Sequence, residues 1–99
     1  MTPAPTYADA LAACVVAFGE PSWSHATDAR ADAWWPAPGA PDDGAMVHGV
    51  CLSRGAHGVF LRAGDGNLTT LWTIAQGIGD VYPLPDAIAA AGAWLRGER

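Results

Sequence analysis

Residues 46–75 alternate apolar and polar side chains with a two-residue period, interrupted by short groups of turn-forming residues. The runs AMVHGVCLS, AHGVFLR and LTTLWTIA are separated by the pair Arg54–Gly55 and by the segment AGDGN. This period is typical of half-buried β-strands, and connections this short join antiparallel neighbours. The sequence therefore predicts an antiparallel meander of three strands, approximately 46–53, 56–62 and 68–75, with a fourth strand left open.

The pairing register divides these strands into two faces. With Arg54–Gly55 as the two central turn residues, Val50 pairs with Val59, and paired residues share a face. We expect one face to form the core: Met46, His48, Val50, Leu52, His57, Val59, Leu61, Thr70, Trp72 and Ile74. The other face carries a mixed set: Val47, Gly49, Cys51, Gly58, Phe60, Arg62, Thr69, Leu71 and Thr73. This second face is either covered by the preceding tryptophan-containing segment or exposed to a partner.

Two helices flank the strands. Thr6, with Asp9 three residues later, forms a capping pair before apolar residues at helical spacing, which predicts a helix over 7–18 that ends at Gly19. Pro85, in a first turn with an acidic neighbour, predicts a second helix over 85–96. The predicted fold is one α+β domain over residues 1–99, with element order α-β-β-β-α and both helices on the core face of the sheet.

An irregular insertion rich in tryptophan and proline follows the first helix. The stretch SWSHA could form a strand, and TDARADAWW could form either a helical turn capped by Thr27 or a strand that ends at Pro36. The prolines around residues 22–45 nevertheless favour irregular, partly extended structure. Neighbouring side chains on an extended backbone point to opposite sides. We therefore expect one of Trp34 and Trp35 to pack on the domain, and the other to lie exposed with Asp42 and Asp43 on a projecting loop.

The charge balance restricts the partners that the chain can bind. Ten acidic residues, five arginines and no lysine give a formal charge of −5, which disfavours direct nucleic-acid binding. The predicted element order resembles that of double-stranded-RNA-binding domains, but those domains place lysines at the start of the second helix, where this chain has Asp86. No apolar run approaches the ~20 residues of a membrane span, and the start of the chain lacks the features of a signal peptide. We expect a cytoplasmic protein that binds neither nucleic acid nor membrane.

The residues that bear chemistry do not converge in the predicted register. Cys51 lies on the face opposite His48 and His57, and those histidines are two pairing steps apart, which argues against a tetrahedral metal site. The serines lack the flanking glycines of a nucleophile elbow. We expect no metal, no cofactor and no catalytic residue. A small enzyme or ligand-binding domain that uses the region of His48 and His57 is kept as an alternative.

A compact acidic domain with large aromatic side chains has the character of a recognition surface. Its carboxylates could occupy a basic groove built for phosphates. We therefore expect a non-enzymatic inhibitor or regulator that docks on a basic, nucleic-acid-binding partner protein, as phage inhibitors of host defence such as anti-CRISPR proteins do. The expected partner-binding residues are Trp34, Trp35, Asp42, Asp43, Phe60 and Arg62. A homodimeric structural module that buries the Phe60 face is a further alternative, and the chain is expected to be a monomer or a homodimer.

Overall fold

Two helices and five strands make up the described part of the fold. The computed structural model describes residues 6–37, 48–56, 58–65, 69–75 and 81–96. In chain order the elements are α1 (Tyr7–Phe18), β1 (Trp23–Ala26), β2 (Ala31–Pro36), β3 (His48–Gly55), β4 (Gly58–Asp65), β5 (Thr69–Ala75) and α2 (Leu84–Leu95). The strands form one sheet in the order β1-β2-β3-β4-β5, and each neighbouring pair is antiparallel. The α+β class is confirmed, but the sheet has five strands rather than three or four.

The two additional strands lie in the segment that was expected to be irregular. β1 and β2 form a hairpin that is closed by Thr27 and Arg30. The Thr27 N–H donates to the Arg30 carbonyl at 2.6 Å, and the Arg30 N–H donates to Thr27 Oγ1 at 3.1 Å. Residues 31–35 of β2 are all buried, so the strand shows no apolar and polar alternation. Pro36 is the last residue of β2, where its missing N–H does not interrupt the interior of the ladder.

Both helices form where the sequence predicts them. Thr6 Oγ1 accepts the Asp9 N–H at 3.1 Å, and Asp9 Oδ2 accepts the Thr6 N–H at 3.2 Å, which completes a capping box at the start of α1. Gly19, at φ 87°, ends the helix and donates its N–H to the Val15 carbonyl at 2.8 Å. α2 begins one residue earlier than predicted and ends at Leu95, with Pro85 in its first turn.

The turn between β3 and β4 differs from the prediction. Arg54 and Gly55 lie within β3, Arg54 pairs with Val59, and Gly55 pairs with Gly58. β3 extends this far because β2 pairs along its other side, as far as Arg54. The partner of Leu52 moves from the predicted residue 57 to Leu61. Such a shift by four residues exchanges no side chain between faces, because the period of a strand is two.

The pairing of β4 with β5 also differs from the prediction by an even number of residues. Ala63 pairs with Thr70 rather than with Leu68, and a β-bulge lies between Val59 and Phe60. The side chains of Leu61 and Trp72 are therefore opposite each other on the expected face.

The core lies between the two helices and one face of the sheet, which we call the helix face. Its buried members from the strands are Ala33, Trp35, Val50, Leu52, Val59, Leu61, Ala63, Trp72, Ile74 and Ala75. Small residues let the helices approach this face closely: Ala10 and Cys14 from α1, and Ala87 and Ala91 from α2. The predicted core face is confirmed for Val50, Leu52, Val59, Leu61, Trp72 and Ile74. Thr70 is half-buried and is not among the buried core residues, and Met46, His57 and the side chain of His48 lie outside the described residues. Each helix has 12 residues, and within the described part of the chain neither is long and apolar enough to cross a membrane.

Candidate functional site

Trp34 and Trp35 diverge to opposite faces of the sheet. Trp35 lies on the helix face, where its Nε1 donates to the Gly19 carbonyl at 2.9 Å and its ring meets that of Phe18 edge-on at 5.6 Å. Trp34 lies on the other face, paired with Trp23 on β1 and Cys51 on β3. Their exposed fractions are 5% for Trp34 and 4% for Trp35. The expectation that one of them stands exposed on a loop is therefore wrong, because both belong to a strand inside the sheet.

The face opposite the helices, here called the open face, carries the candidate site. Cross-strand pairing places two rows of side chains on it: Trp23, Trp34, Cys51, Arg62 and Leu71 in one row, and His25, Asp32, Ser53, Phe60 and Thr73 in the other. Trp34 and Cys51 are buried, yet neither belongs to the core under the helices. The open face therefore mixes apolar and polar side chains, and its members Asp32 and Thr73 are buried as well.

The open face is most exposed at its two ends. Trp23 on β1 is 40% exposed and Leu71 on β5 is 54% exposed, while Phe60 and Arg62 between them are half-buried. Exposed apolar surface continues around the β5 edge to Tyr82, whose backbone N–H donates to the Thr73 carbonyl at 2.8 Å. Contiguous exposed apolar patches mark binding surfaces, whereas Trp23 and Leu71 stand on the two opposite edge strands of this face.

A close approach of β2 and β3 holds Trp34 against the sheet. Gly49, at φ 152°, has no side chain, and a Cβ added there would lie 2.9 Å from Cη2 of Trp34 and 2.3 Å from the Trp35 carbonyl oxygen. The Trp34 ring therefore occupies the space that any other residue at position 49 would need.

The buried carboxylate of the open face is fully engaged. Ser53 Oγ donates to Asp32 Oδ1 at 2.8 Å, and Arg30 Nε donates to Asp32 Oδ2 at 2.9 Å. The Cys51 sulfur lies 3.4 Å from Ser53 Oγ. Because its partners are already present, Asp32 contributes to the structure of the face rather than offering a charge to a ligand.

These polar groups do not form an acyl-transfer site. His25, Asp32 and Ser53 occupy successive positions in one row, so the carboxylate stands between the imidazole and the hydroxyl. A serine nucleophile needs the histidine beside it, with the carboxylate behind the histidine. The order in this row is the reverse of that requirement.

The thiols are poor nucleophiles. Burial raises the pKa of Cys14 from 9.0 to about 12. Burial also raises the pKa of Cys51, and the neighbouring Ser53 and Arg62 offset only part of that increase. Both cysteines are buried and free, so their thiols stay protonated and unreactive at neutral pH.

A cavity of about 480 Å³ opens at the end of the sheet near the start of α1, lined in part by Tyr7, Asp28 and Arg54. The Arg54 guanidinium is already committed, since it donates to the Thr27 carbonyl and lies 5.9 Å from the centre of the Tyr7 ring. Burial, with a smaller contribution from the Asp32 charge, raises the pKa of Tyr7 to about 12. The Tyr7 hydroxyl is buried and has no hydrogen-bond partner among the described residues, and it remains protonated, so it offers no general base.

The structure brings together part of the predicted site. Trp34, Phe60 and Arg62 lie on the open face, Trp35 lies on the helix face, and Asp42 and Asp43 lie outside the described residues. For the alternative site, His57 and the side chain of His48 also lie outside them. No group of three or more potential metal ligands occurs among the described side chains.

Sequence reasoning missed Trp23 as a member of this surface. Its signal was the alternation of large and small side chains in WSHA, which matches a strand with Trp23 and His25 on one side.

Comparisons with protein-family models, with curated proteins and with solved structures return no match. The functional argument therefore rests on the residues of this chain.

Proposed function

We propose that this chain is a non-enzymatic protein-binding module that docks through its open face on a partner protein with a basic surface. The observation that carries the proposal is the exposure of Trp23 and Leu71 on either side of half-buried Phe60 and Arg62, while both helices occupy the other face. Aromatic residues and arginine are enriched in the centres of protein interfaces, where other charged residues are depleted. The exposed and half-buried residues Trp23, Phe60, Arg62 and Leu71 of the open face include two aromatic residues and an arginine.

Asp32 is the described acidic residue on the open face, and it is engaged with Arg30 and Ser53, whereas the other described carboxylates lie elsewhere on the molecule. Asp9 and Asp86 are in the first turns of the helices, Glu20 follows α1, and Asp28 lies in the β1–β2 turn. Together with the net charge of −5, these carboxylates favour encounter with a basic protein, because the summed charge of a protein acts over long range and mainly on the association rate.

An inhibitory or regulatory role follows from this combination. A compact acidic protein can compete with nucleic acid for a groove that normally binds phosphates. Its charges speed the encounter, and its apolar side chains supply the buried contact area that stabilises the complex. We therefore propose a phage-type inhibitor of a nucleic-acid-binding host defence complex, comparable in strategy to anti-CRISPR proteins. The charge and the open face support this proposal.

The test compares variants of the open face with a matched variant on a helix. Val16 on α1 is 88% exposed, so Val16→Ala removes exposed apolar surface from the opposite side of the molecule. Tagged wild type and variants are used to capture proteins from a host lysate, and the affinity of each captured protein is then measured by calorimetry.

We expect Trp23→Ala and Leu71→Ala to melt close to the wild type and to weaken binding by about 2 kcal/mol, which is roughly 30-fold in Kd. Val16→Ala should bind like the wild type. Association should slow as salt is raised, because the steering charges are screened. A partner that both open-face variants capture normally would refute the proposal.

A further inference from the structure

β1 is an edge strand of the sheet, and its four residues, Trp23–Ala26, are all exposed. In the described part of the chain it pairs with β2 on one side. At the opposite edge of the sheet, the Tyr82 N–H already donates to the Thr73 carbonyl of β5 at 2.8 Å. Charged side chains and proline commonly protect an edge strand from pairing with another strand, and residues 23–26 include neither. β1 is therefore the edge at which a further strand can add.

The hydrogen bond that closes the β1–β2 turn shows which backbone groups of β1 point outward. The Thr27 N–H donates to the Arg30 carbonyl at 2.6 Å, so it is directed towards β2. Backbone groups alternate between the two sides along an antiparallel strand. Those of His25 therefore also face β2, whereas the N–H and C=O groups of Ser24 and Ala26 point away from the sheet. These four groups are what β1 offers to another strand.

We propose that β1 pairs antiparallel with β1 of a second copy of this chain, about a two-fold axis that passes beside His25. In this register Ser24 is opposite Ala26 of the second copy, and the outward groups of both copies exchange four hydrogen bonds. His25 is opposite His25 of the second copy in a non-hydrogen-bonded pair. The two sheets become one sheet of ten strands, with both open faces on the same side. This inference goes beyond the proposed function and does not rest on it.

Other two-fold registers satisfy fewer of the outward groups. An axis at Ser24 would bring Ala26 opposite Ser22, whose N–H is directed inward, since it donates to β2 at 2.7 Å. An axis at Ala26 would bring Ser24 opposite Asp28, which lies in the turn and outside β1. An axis between two residues would place outward groups opposite inward ones. The register centred on His25 pairs all of them.

The exposed side chains at the ends of β1 select a second copy over an unrelated strand. Trp23 is 40% exposed, and the side chain of Arg30 is 71% exposed on the same face, where its Nε donates to Asp32. In the proposed register Thr27 of the second copy is opposite Trp23, and Arg30 of the second copy lies in the same row, one strand further. That separation is about 10 Å at ~4.8 Å per strand, which an arginine and a tryptophan reaching towards each other can span. A guanidinium against an indole ring is favourable, and the symmetry forms this contact twice.

Disulfide cross-linking tests the register. The Cα atoms of a non-hydrogen-bonded pair are about 4.5 Å apart, within the span of a disulfide, so His25→Cys should form a covalent dimer in oxidised glutathione. Ser24→Cys and Ala26→Cys are the controls, because each is displaced from its counterpart by about 7 Å along the strand in addition to the strand separation. Cys14 and Cys51 are buried, so the wild type should stay uncross-linked. We expect His25→Cys to cross-link at least about tenfold faster than either control on a non-reducing gel.

Analytical ultracentrifugation measures the dimer without a cross-link. The wild type should show twice the mass of the chain at high concentration and should dissociate on dilution. Proline is tolerated on an edge strand where the N–H faces outward, so Ser24→Pro should keep the fold while it removes two of the four hydrogen bonds across the axis. We expect its dimer Kd to rise at least about tenfold, whereas Ser24→Ala, which keeps the backbone N–H, should dimerise like the wild type. Circular dichroism checks that both variants melt cooperatively.

Several results would overturn this inference. They are a wild type that stays monomeric up to about 1 mM, fastest cross-linking at residue 24 or 26, and an unchanged dimer Kd in folded Ser24→Pro. A dimer that dissociates in Phe60→Ala but not in Ser24→Pro would show pairing through the open faces instead. A monomeric chain whose captured partner is lost in Ser24→Pro would show that β1 receives a strand of another protein. Leu71 lies on β5 at the far edge from the axis, so Leu71→Ala tests the proposed function separately from the dimer.

Discussion

Replacement of Gly49 by alanine tests the close approach on which the open face depends. A Cβ at this position would lie 2.3 Å from the Trp35 carbonyl oxygen, 2.8 Å from Pro36 Cα and 2.9 Å from Trp34 Cη2. Two of these atoms belong to the backbone of β2, so the contact is relieved only by separating β2 from β3. The backbone φ of 152° adds strain for any residue with a side chain.

The expected cost follows from these two contributions. Backbone strain of this kind costs about 1–3 kcal/mol, and overpacking costs a similar amount. We expect Gly49→Ala to lose about 3 kcal/mol or more of unfolding free energy, which lowers the Tm of a domain of this size by roughly 12–24 °C. Thermal unfolding followed by circular dichroism measures the change.

Two other glycines separate the contributions. Gly55 lies in the same strand, has no atom within 4 Å of an added Cβ and has no positive φ, so Gly55→Ala should change stability by less than about 0.5 kcal/mol. Gly19 has a φ of 87° but open space around it, so Gly19→Ala should show strain alone, about 1–2 kcal/mol. If Gly49→Ala melts within about 5 °C of the wild type, the tight seat of Trp34 between β2 and β3 is refuted.

Three further changes test the core. Tyr7→Phe removes a buried hydroxyl that has no hydrogen-bond partner in the described part of the chain. Urea titration should therefore show unchanged stability or a gain of up to about 1 kcal/mol, and a loss of stability would contradict the assignment. Val59→Asp places a carboxylate in the core and should abolish cooperative unfolding, which a soluble variant with a sharp melting transition would disprove. Because burial raises the pKa of Cys14 from 9.0 to about 12, the folded chain keeps a proton that the unfolded chain loses, and the free energy of unfolding should fall as pH rises from about 9 towards 12. Titrations at about pH 8 and about pH 10.5 should show a smaller fall in Cys14→Ala, and equal falls would exclude this thiol as a cause.

The sequence by itself determined the features that depend on neighbours along the chain. The Thr6 and Asp9 capping box and the Gly19 stop are local signals, and α1 follows them. The assignment of strand residues to the helix face also followed from alternation, and it survived two errors in register because each shift was even. Alternation identifies the side to which a residue points without identifying its partner.

Tertiary structure decided what depends on distant strands. β1 has four exposed residues and β2 is buried on both faces. Neither strand therefore alternates apolar with polar side chains as a half-buried strand does, and the position of β2 in the sheet is fixed by its pairing with β3. Because of the same pairing, β3 continues through Arg54, and the turn to β4 lies beyond Arg54–Gly55, the pair that the sequence predicted as the turn.

The adjacent tryptophans show both kinds of information. Opposite directions for Trp34 and Trp35 follow from any extended backbone and were predictable. That both are buried was not predictable, because each depends on residues far along the chain. On the helix face, Trp35 Nε1 donates to the Gly19 carbonyl, which follows α1. On the open face, the Trp34 ring lies against Gly49, which has no side chain. These contacts join residues far apart in the chain, and local pattern carries no record of them.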